Sequence, residues 1–243
     1  MSWGRMAGAA LLLAGTLAAA DMDDDAEARE LLARFEAMGE TGRYVDDGFD
    51  QDAERQIHGP VGFGPGRSGR QDDRAAVFPA SDEREVYVYY GPYVALRGGL
   101  AFDFTVIADP GRERPWTVLQ VGTAGNMAML CAVTPDGVLH ATITTRRGRI
   151  PLFTDPLSFG EWHSARLLYG PEGSVLVVDG AIQDFAIDPS VPWNYDSSNA
   201  MYLGDRPYWS ARRREGYFAE HDHLVGSIDN LSVVRLEPGG EEQ

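Results

Sequence analysis

The chain has 243 residues, 44% of them hydrophobic and 10% aromatic, which is enough for one sizeable globular domain and too apolar for disorder along its whole length. It carries 37 acidic residues against 21 basic ones, every one of the latter arginine, for a formal net charge of −16. A surface this acidic repels nucleic acid and anionic membranes at long range, so neither is expected as a partner.

Arg5, the apolar run Met6 to Leu17 and the small residues Ala18-Ala19-Ala20 have the pattern of a secretory signal peptide, with cleavage expected after Ala20. The run is shorter than the roughly 20 residues a membrane-spanning helix needs. No later segment is long and apolar enough to span, so the mature chain is expected to be secreted or periplasmic. Losing Arg5 leaves 20 basic against 37 acidic residues, a net charge of −17.

Residues 21–80 read as an acidic helix followed by a Gly-rich lead-in. Asp23, Asp24 and Asp25 favour a helix start, Leu31, Leu32 and Phe35 fall at helical spacing, and Gly39 is a plausible stop. That helix is expected to pack on the body that follows. Thr41 to Ala80, with Gly59-Pro60, Gly62, Gly64-Pro65-Gly66 and Gly69, has the chemistry of loops. Within it Gln56-Ile57-His58 matches a short strand motif of one alginate-lyase family, but that family's Arg-rich and YFKAG-type strands are missing, and the match is read as coincidence.

From Arg84 the chain turns into short strands broken by turns. Val86 to Tyr90 ends at Gly91-Pro92, and Leu100, Phe102, Phe104 and Val106 alternate with Ala101, Asp103 and Thr105. Trp116 to Val121 is another strand. Pro135-Asp136-Gly137 and Gly170-Pro171-Glu172-Gly173 sit in the two expected hairpins. Met201 to Leu203 and Leu224 to Leu236 complete the series. Many short strands with no helical pattern between them predict an all-β, two-sheet antiparallel sandwich. Cys131, the only cysteine, excludes an internal disulfide and is expected to be a small buried apolar side chain rather than a nucleophile.

Four motifs in the second half carry a family resemblance. Gly160-Glu161-Trp162-His163-Ser164-Ala165-Arg166-Leu167 resembles the GxWHxVxL strand of laminin-G-like domains, and Ser174 to Gly180 resembles the next strand, which ends in VDG. Met201-Tyr202-Leu203-Gly204 resembles the LxIG strand, and Gly226-Ser227-Ile228-Asp229-Asn230-Leu231-Ser232-Val233 resembles the closing GxIDxVxI strand. The resemblance implies a concanavalin-A-like jelly roll over residues 81–238, leaving a tail at 239–243. It also implies that Asp229 matches the position where related jelly rolls hold one Ca²⁺ with an Asp and backbone carbonyls. On the residues alone, Asp229 can equally cap a bulge by accepting local backbone N–H bonds. Ile228 and Leu231 differ in parity, so a bulge near Asp229-Asn230 is required to bury both. Trp162 is expected to fill the core where its strand enters the sheet.

The stretch Asp205 to His223 is longer than a connection between two strands needs. It holds Tyr208, Trp209, Arg212, Arg213, Arg214, Tyr217, Phe218, His221 and His223. Aromatic rings stack on sugars and Arg grips carboxylate or sulfate in bidentate fashion, so Tyr208, Trp209, Arg212, Arg213, Arg214, Tyr217 and His221 are the candidate ligand-binding residues. The alternative is that the arginines balance the acidic surface and the aromatics pin the loop. Arg146-Arg147-Gly148-Arg149 forms a second basic group in another turn. His221-Asp222-His223 could supply two imidazoles to a metal such as Zn²⁺, but no third ligand is evident.

No E-x-D-x-x-E strand, Ser/His/Asp constellation, phosphate loop or dinucleotide fingerprint is legible, and no catalytic residue is assigned. The expected function is an exported, non-catalytic module binding a carbohydrate, with an anionic one in view, or an extracellular protein ligand, with Ca²⁺ as the one cofactor to consider. A polysaccharide lyase or glycoside hydrolase on the same fold, and a structural envelope protein, are the alternatives.

Overall fold

A computed structural model describes residues 24–47, 49, 55–70, 72–81, 86–92, 96–109, 113–122, 127–193, 200–205 and 222–238. Residues 1–20, with the expected signal peptide, and the tail lie outside them.

Among the described residues a helix over residues 24–36 precedes sixteen strands. These are β1 (Gly39–Asp47), β2 (Gln56–His58), β3 (Gly62–Pro65), β4 (Arg74–Phe78), β5 (Tyr87–Pro92), β6 (Gly98–Val106), β7 (Trp116–Val121) and β8 (Met129–Val133). There follow β9 (Leu139–Thr145), β10 (Gly148–Phe153), β11 (His163–Gly170), β12 (Gly173–Val178), β13 (Ala181–Ala186), β14 (Ala200–Leu203), β15 (Asp222–His223) and β16 (Gly226–Glu237). They form two sheets. The first runs β13-β12-β11-β6-β16-β4-β3, with β1 also on β16; the second runs β10-β9-β8-β7-β14-β5-β2, with β15 also on β7. All pairings are antiparallel except the short β15–β7 pair. This is the expected sandwich.

Alternation along the strands decides what lies between the sheets. Leu100, Phe102, Phe104 and Val106 of β6 face Leu119, Met129, Cys131 and Ile143 of the other sheet in one buried cluster, with Trp116 near its end. Burial alone pushes the Cys131 thiol up to about 12, so it is inert apolar filling, as its neighbours in sequence predicted. The helix docks on the outside of the first sheet, as expected: Leu31 and Phe35 are buried against Leu168, Val175 and Leu236 in a second, smaller core.

Two expectations are corrected. The Gly-rich stretch Thr41 to Ala80, expected to form loops ahead of a domain starting at residue 81, supplies most of β1 and all of β2, β3 and β4 of the sandwich. β1 and β4 share one edge of β16, pairing with its second and first halves respectively, and β2 pairs with β5. Alternation failed to reveal them because β2 and β3 are edge strands of three and four residues with little burial, and β1 carries two register shifts. Trp162, expected in the core, is only half-buried and precedes β11; the tryptophan that fills the core is Trp116, at 1% exposure.

The resemblance motifs acquire physical meaning here. His163 of the first motif is bonded to Asp179 of the second: ring Nδ1 lies 2.7 Å from the carboxylate and Nε2 lies 2.9 Å from the carbonyl of Ser158. The other Asp179 oxygen accepts from the Ser164 N–H at 2.8 Å. Asp179 and Gly180 both take positive φ, 51° and 79°, as the expected tight turn requires. At Gly204, with φ of 84°, a Cβ would lie 2.1 Å from the Phe78 ring, so the glycine of the third motif is fixed by packing between the sheets.

Candidate ligand-binding site

The closing strand carries Asp229. The predicted bulge is present: the β16–β6 register slips between Asp229 and Ser232, Asn230 adopts φ of 49°, and Ile228 and Leu231 both reach the core. Asp229 is wholly buried. Its Oδ2 accepts from the Arg67 backbone N–H at 2.8 Å and its Oδ1 from the Asn230 N–H at 2.7 Å. Burial pushes the carboxyl above the ordinary carboxylate range, the two N–H bonds pull it back, and the nearby Asp73 and Asp103 charges add to the rise. Asp103 is turned to the Arg67 guanidinium and to the Asn230 side-chain amide. Asp229 therefore does what a bulge cap does.

The fit to Ca²⁺ is poor on side chains alone. Asp73 Oδ1 and Asp229 Oδ2 converge beside Gly66, where a Cβ would lie 2.4 and 2.6 Å from them, but Ca²⁺ takes six to eight oxygens. Among the described residues no three His, Cys, Asp or Glu side chains form a group able to hold a metal.

The loop from Asp205 to His223 is built on a defined base. The Gly204 N–H donates to the Val118 carbonyl at 2.9 Å, the Leu224 N–H to the Gly204 carbonyl at 2.6 Å, and the Asp222 N–H to the Pro115 carbonyl at 2.8 Å. β15 then lies along β7, with His223 opposite Thr117. Tyr208, Trp209, Arg212, Arg213, Arg214, Tyr217 and His221 lie outside the described residues, so only the place where the loop leaves the sandwich is fixed.

That place adjoins a group of residues to which the sequence assigns no site role. Partners in a ladder share a face of the sheet. Gln56 is opposite Tyr89, Tyr89 opposite Tyr202, and Tyr202 opposite Gln120, so all four lie in one row on the outer face of the second sheet. His58 is opposite Tyr87 in the adjacent row. The rings touch: His58 stacks on Tyr87 at 4.4 Å, and Tyr202 meets Tyr87 edge-on and Tyr89 obliquely, each at 5.4 Å. Tyr87 and Tyr202 are buried, Tyr89 and His58 half-buried, and Gln56 exposed, so the cluster opens towards the β2 edge. Burial, with Tyr89 and Tyr87 beside it, pushes the Tyr202 phenol up to about 12. The available signal was alternation: Tyr87 and Tyr89 are two apart in a strand whose core face is Val86, Val88 and Tyr90. The motif Gln56-Ile57-His58, set aside as coincidence, forms strand β2 and puts Gln56 and His58 beside these tyrosines.

Residues 116–235 match the family model described as Laminin G domain. No curated protein sequence matches the chain. Among solved structures, domain 4 of an extracellular arabinanase from Geobacillus stearothermophilus, solved with arabinotriose, superposes with a TM-score of 0.56 at 13% identity, over 82% of this chain and 96% of that one. The endo-β-1,4-glucuronan lyase from the fungus Trichoderma reesei gives 0.54 at 13% identity, over 81% and 95%. Mouse laminin α1 domains LG4-5 give 0.50 at 19% identity, over 67% of this chain and 42% of that one, so the chain spans under half of that protein. At these identities the superpositions speak for the fold alone. Strand motifs, two-sheet topology and family match agree: this chain carries a laminin-G-like jelly-roll domain of the concanavalin-A-like class.

Proposed function

We propose that this protein is an exported, non-catalytic module that binds carbohydrate at the outer face of the second sheet, where Tyr89, Tyr202, Tyr87 and His58 meet the base of the loop at Gly204 and Leu224. The observation that carries the reading is the ring cluster itself. Tyr89 and His58, half-buried at a sheet edge and backed by Tyr202 and Tyr87, offer stacking surfaces and hydrogen-bonding tips, which suits sugar rings and hydroxyls. Trp209, Tyr208 and Tyr217 of the loop would add stacking surface, and Arg212, Arg213 and Arg214 would favour an anionic sugar.

An eliminating enzyme on this fold would need a base near its working pH. Tyr202, raised to about 12, is a poor one. Gln56 and His58 on the same face are what favours the lyase alternative, and the same experiment separates the two. The mature protein is screened on immobilised glycans, and its best ligand is then titrated against Tyr89→Ala and His58→Ala. Binding should weaken about tenfold in Tyr89→Ala, the effect of losing an aromatic contact worth about 1.4 kcal/mol. Appearance of an unsaturated, ultraviolet-absorbing sugar product, lost in His58→Ala, would replace this reading with the lyase. Unchanged affinity in both variants would remove the site from this face.

A further inference from the structure

The second basic group of the sequence is found at a built cavity. The β9–β10 turn carries Arg146 and Arg147 over a cavity of about 260 Å³, whose other walls are the apolar residues Leu96, Pro189, Val191 and Pro192. The next residue, Trp193, is 42% exposed. Three walls are held from behind. The turn is tied by the Thr145 hydroxyl, which donates to the Gly148 carbonyl at 2.9 Å and accepts from the Arg147 N–H at 3.1 Å. Ser190, fully buried, donates its N–H to the Gly170 carbonyl at 2.8 Å and bonds the Ser174 hydroxyl at 2.9 Å, and the Trp193 N–H reaches the Thr144 carbonyl at 2.7 Å. Leu96 adjoins Arg97, which is clamped in bidentate fashion by Glu172. Neither the Arg146 nor the Arg147 guanidinium has a hydrogen-bonding or ion-pair partner among the described residues. Two adjacent unpaired arginines are unusual on a chain with a net charge of −16 and no lysine.

Sheet order separates this cavity from the proposed tyrosine site: the Arg146–Arg147 turn joins β9 and β10, whereas Tyr202 lies on β14 and Tyr89 on β5, three and four strands from β9. Trp116, Val133 and Leu139 align at the end of the second sheet where the Asp205–His223 loop is rooted, whereas Val121, Met129 and Ile143 align towards the end that carries the Arg146–Arg147 turn. From the two cations and the apolar walls, we propose that the cavity is a second saccharide site. It would take one sugar ring bearing an oxyanion, carboxylate or sulfate. The volume lies just below the roughly 300–1,000 Å³ of drug-sized ligand sites, which suits a single ring rather than a chain. The arginines would grip the oxyanion, and the apolar wall beside Trp193 would take a ring face, so that the indole reports on binding as a neighbour. Pre-set walls lower the ordering cost of binding.

The test is titration of the mature protein, ¹⁵N-labelled, with D-glucuronic acid, D-glucose 6-sulfate and D-glucose, following the Trp193 indole and the Arg146 and Arg147 amides by nuclear magnetic resonance. The indole is assigned from Trp193→Phe. Saturable shifts with at least one acidic sugar are expected, about tenfold weaker for glucose and about tenfold weaker in Arg146→Gln/Arg147→Gln, as loss of charge-assisted bonds predicts. Arg212→Ala/Arg213→Ala/Arg214→Ala should leave these shifts unchanged, which separates this site from the one proposed above. Equal binding of glucose, equal binding by the double Gln variant, or acidic sugars that shift only the Arg146 and Arg147 amides, as inorganic sulfate does, with Trp193 unmoved, would each overturn the proposal.

Discussion

Replacing Asp229 with Ala tests how the closing strand is held. The substitution leaves the backbone N–H groups of Arg67 and Asn230 without an acceptor at a wholly buried position. Losing two bonds to a charged group would cost about 1.5–3 kcal/mol each. Relief of repulsion from Asp73 and Asp103 offsets part of that, so a net loss of about 2–4 kcal/mol is expected. For a domain of this size each kcal/mol moves Tm by roughly 2–4 °C, so the shift should be about 5–15 °C. The pH dependence of Asp229→Asn supplies a second, independent reading. The folded-state carboxyl is raised, so the folded protein holds the proton more tightly than the unfolded chain. The stability this gives is complete below the unfolded value near about 3.9 and is lost as pH rises through the higher folded value. Asn at 229 lacks that loss, so its cost relative to the parent should shrink as pH rises from about 4 towards neutrality. Thermal melts at several pH values measure both. A Tm change under about 2 °C in Asp229→Ala would refute the capping argument, whereas a cost of Asp229→Asn that grows with pH would show the two N–H bonds outweighing burial at this carboxyl.

Further expectations follow from the same structure. Trp116→Ala should cost about 3–5 kcal/mol and Trp162→Ala clearly less, by denaturant unfolding; equal costs would put Trp162 back in the core. Glu172→Gln removes the bidentate partner of Arg97 at a site only partly open to solvent, with an expected loss of about 1–2 kcal/mol. Arg97 holds the Glu172 carboxyl below its usual range, so the pair's contribution, present above the unfolded value, should fade as pH falls through the lower folded one, the reverse of Asp229. With Asp229 acting as a cap, millimolar Ca²⁺ and chelator should leave Tm unchanged. A Ca²⁺-dependent rise lost in Asp229→Ala would assign the ion to it. Arg212→Ala/Arg213→Ala/Arg214→Ala should weaken retention on acidic glycans at low salt without moving Tm; unchanged retention would return the loop to a structural role.

The fold was legible where side chains alternate over long enough stretches and where glycines mark turns. β6 shows this, with Leu100, Phe102, Phe104 and Val106 inward, and so does the parity mismatch between Ile228 and Leu231, which demanded a bulge before any coordinate placed one. It was illegible where burial comes from a neighbour rather than from the strand's own pattern. Gly62–Pro65 and Gln56–His58 have little buried face of their own, and they are strands only because β4 and β5 offer them an open edge. Trp162 shows the same limit from the other side: a tryptophan beside a strand motif looks like core, but position along the strand decides, and β11 begins one residue later with His163.

The site was less legible than the fold because it is assembled across strands. Tyr87 and Tyr89 come from β5, Tyr202 from β14, and Gln56 and His58 from β2, with up to 146 positions separating the first from the last. Only register brings them to one face, and register is not written in any one segment. The Arg146–Arg147 cavity has the same character: its cations are adjacent in sequence, but its walls come from before β6 and after β13. The long loop is legible because length and composition are local properties, and the cluster at its base is not because contact is not local. The two lines of reading meet at Gly204, whose N–H and carbonyl both serve the loop base while Tyr202, two residues earlier, belongs to the ring cluster. A ligand held by the cluster and by the loop would therefore be sensed on both sides of one glycine. Shortening the loop while retaining Gly204 and Leu224 should leave the tyrosines in place, so any affinity then lost belongs to the loop and any that remains belongs to the sheet.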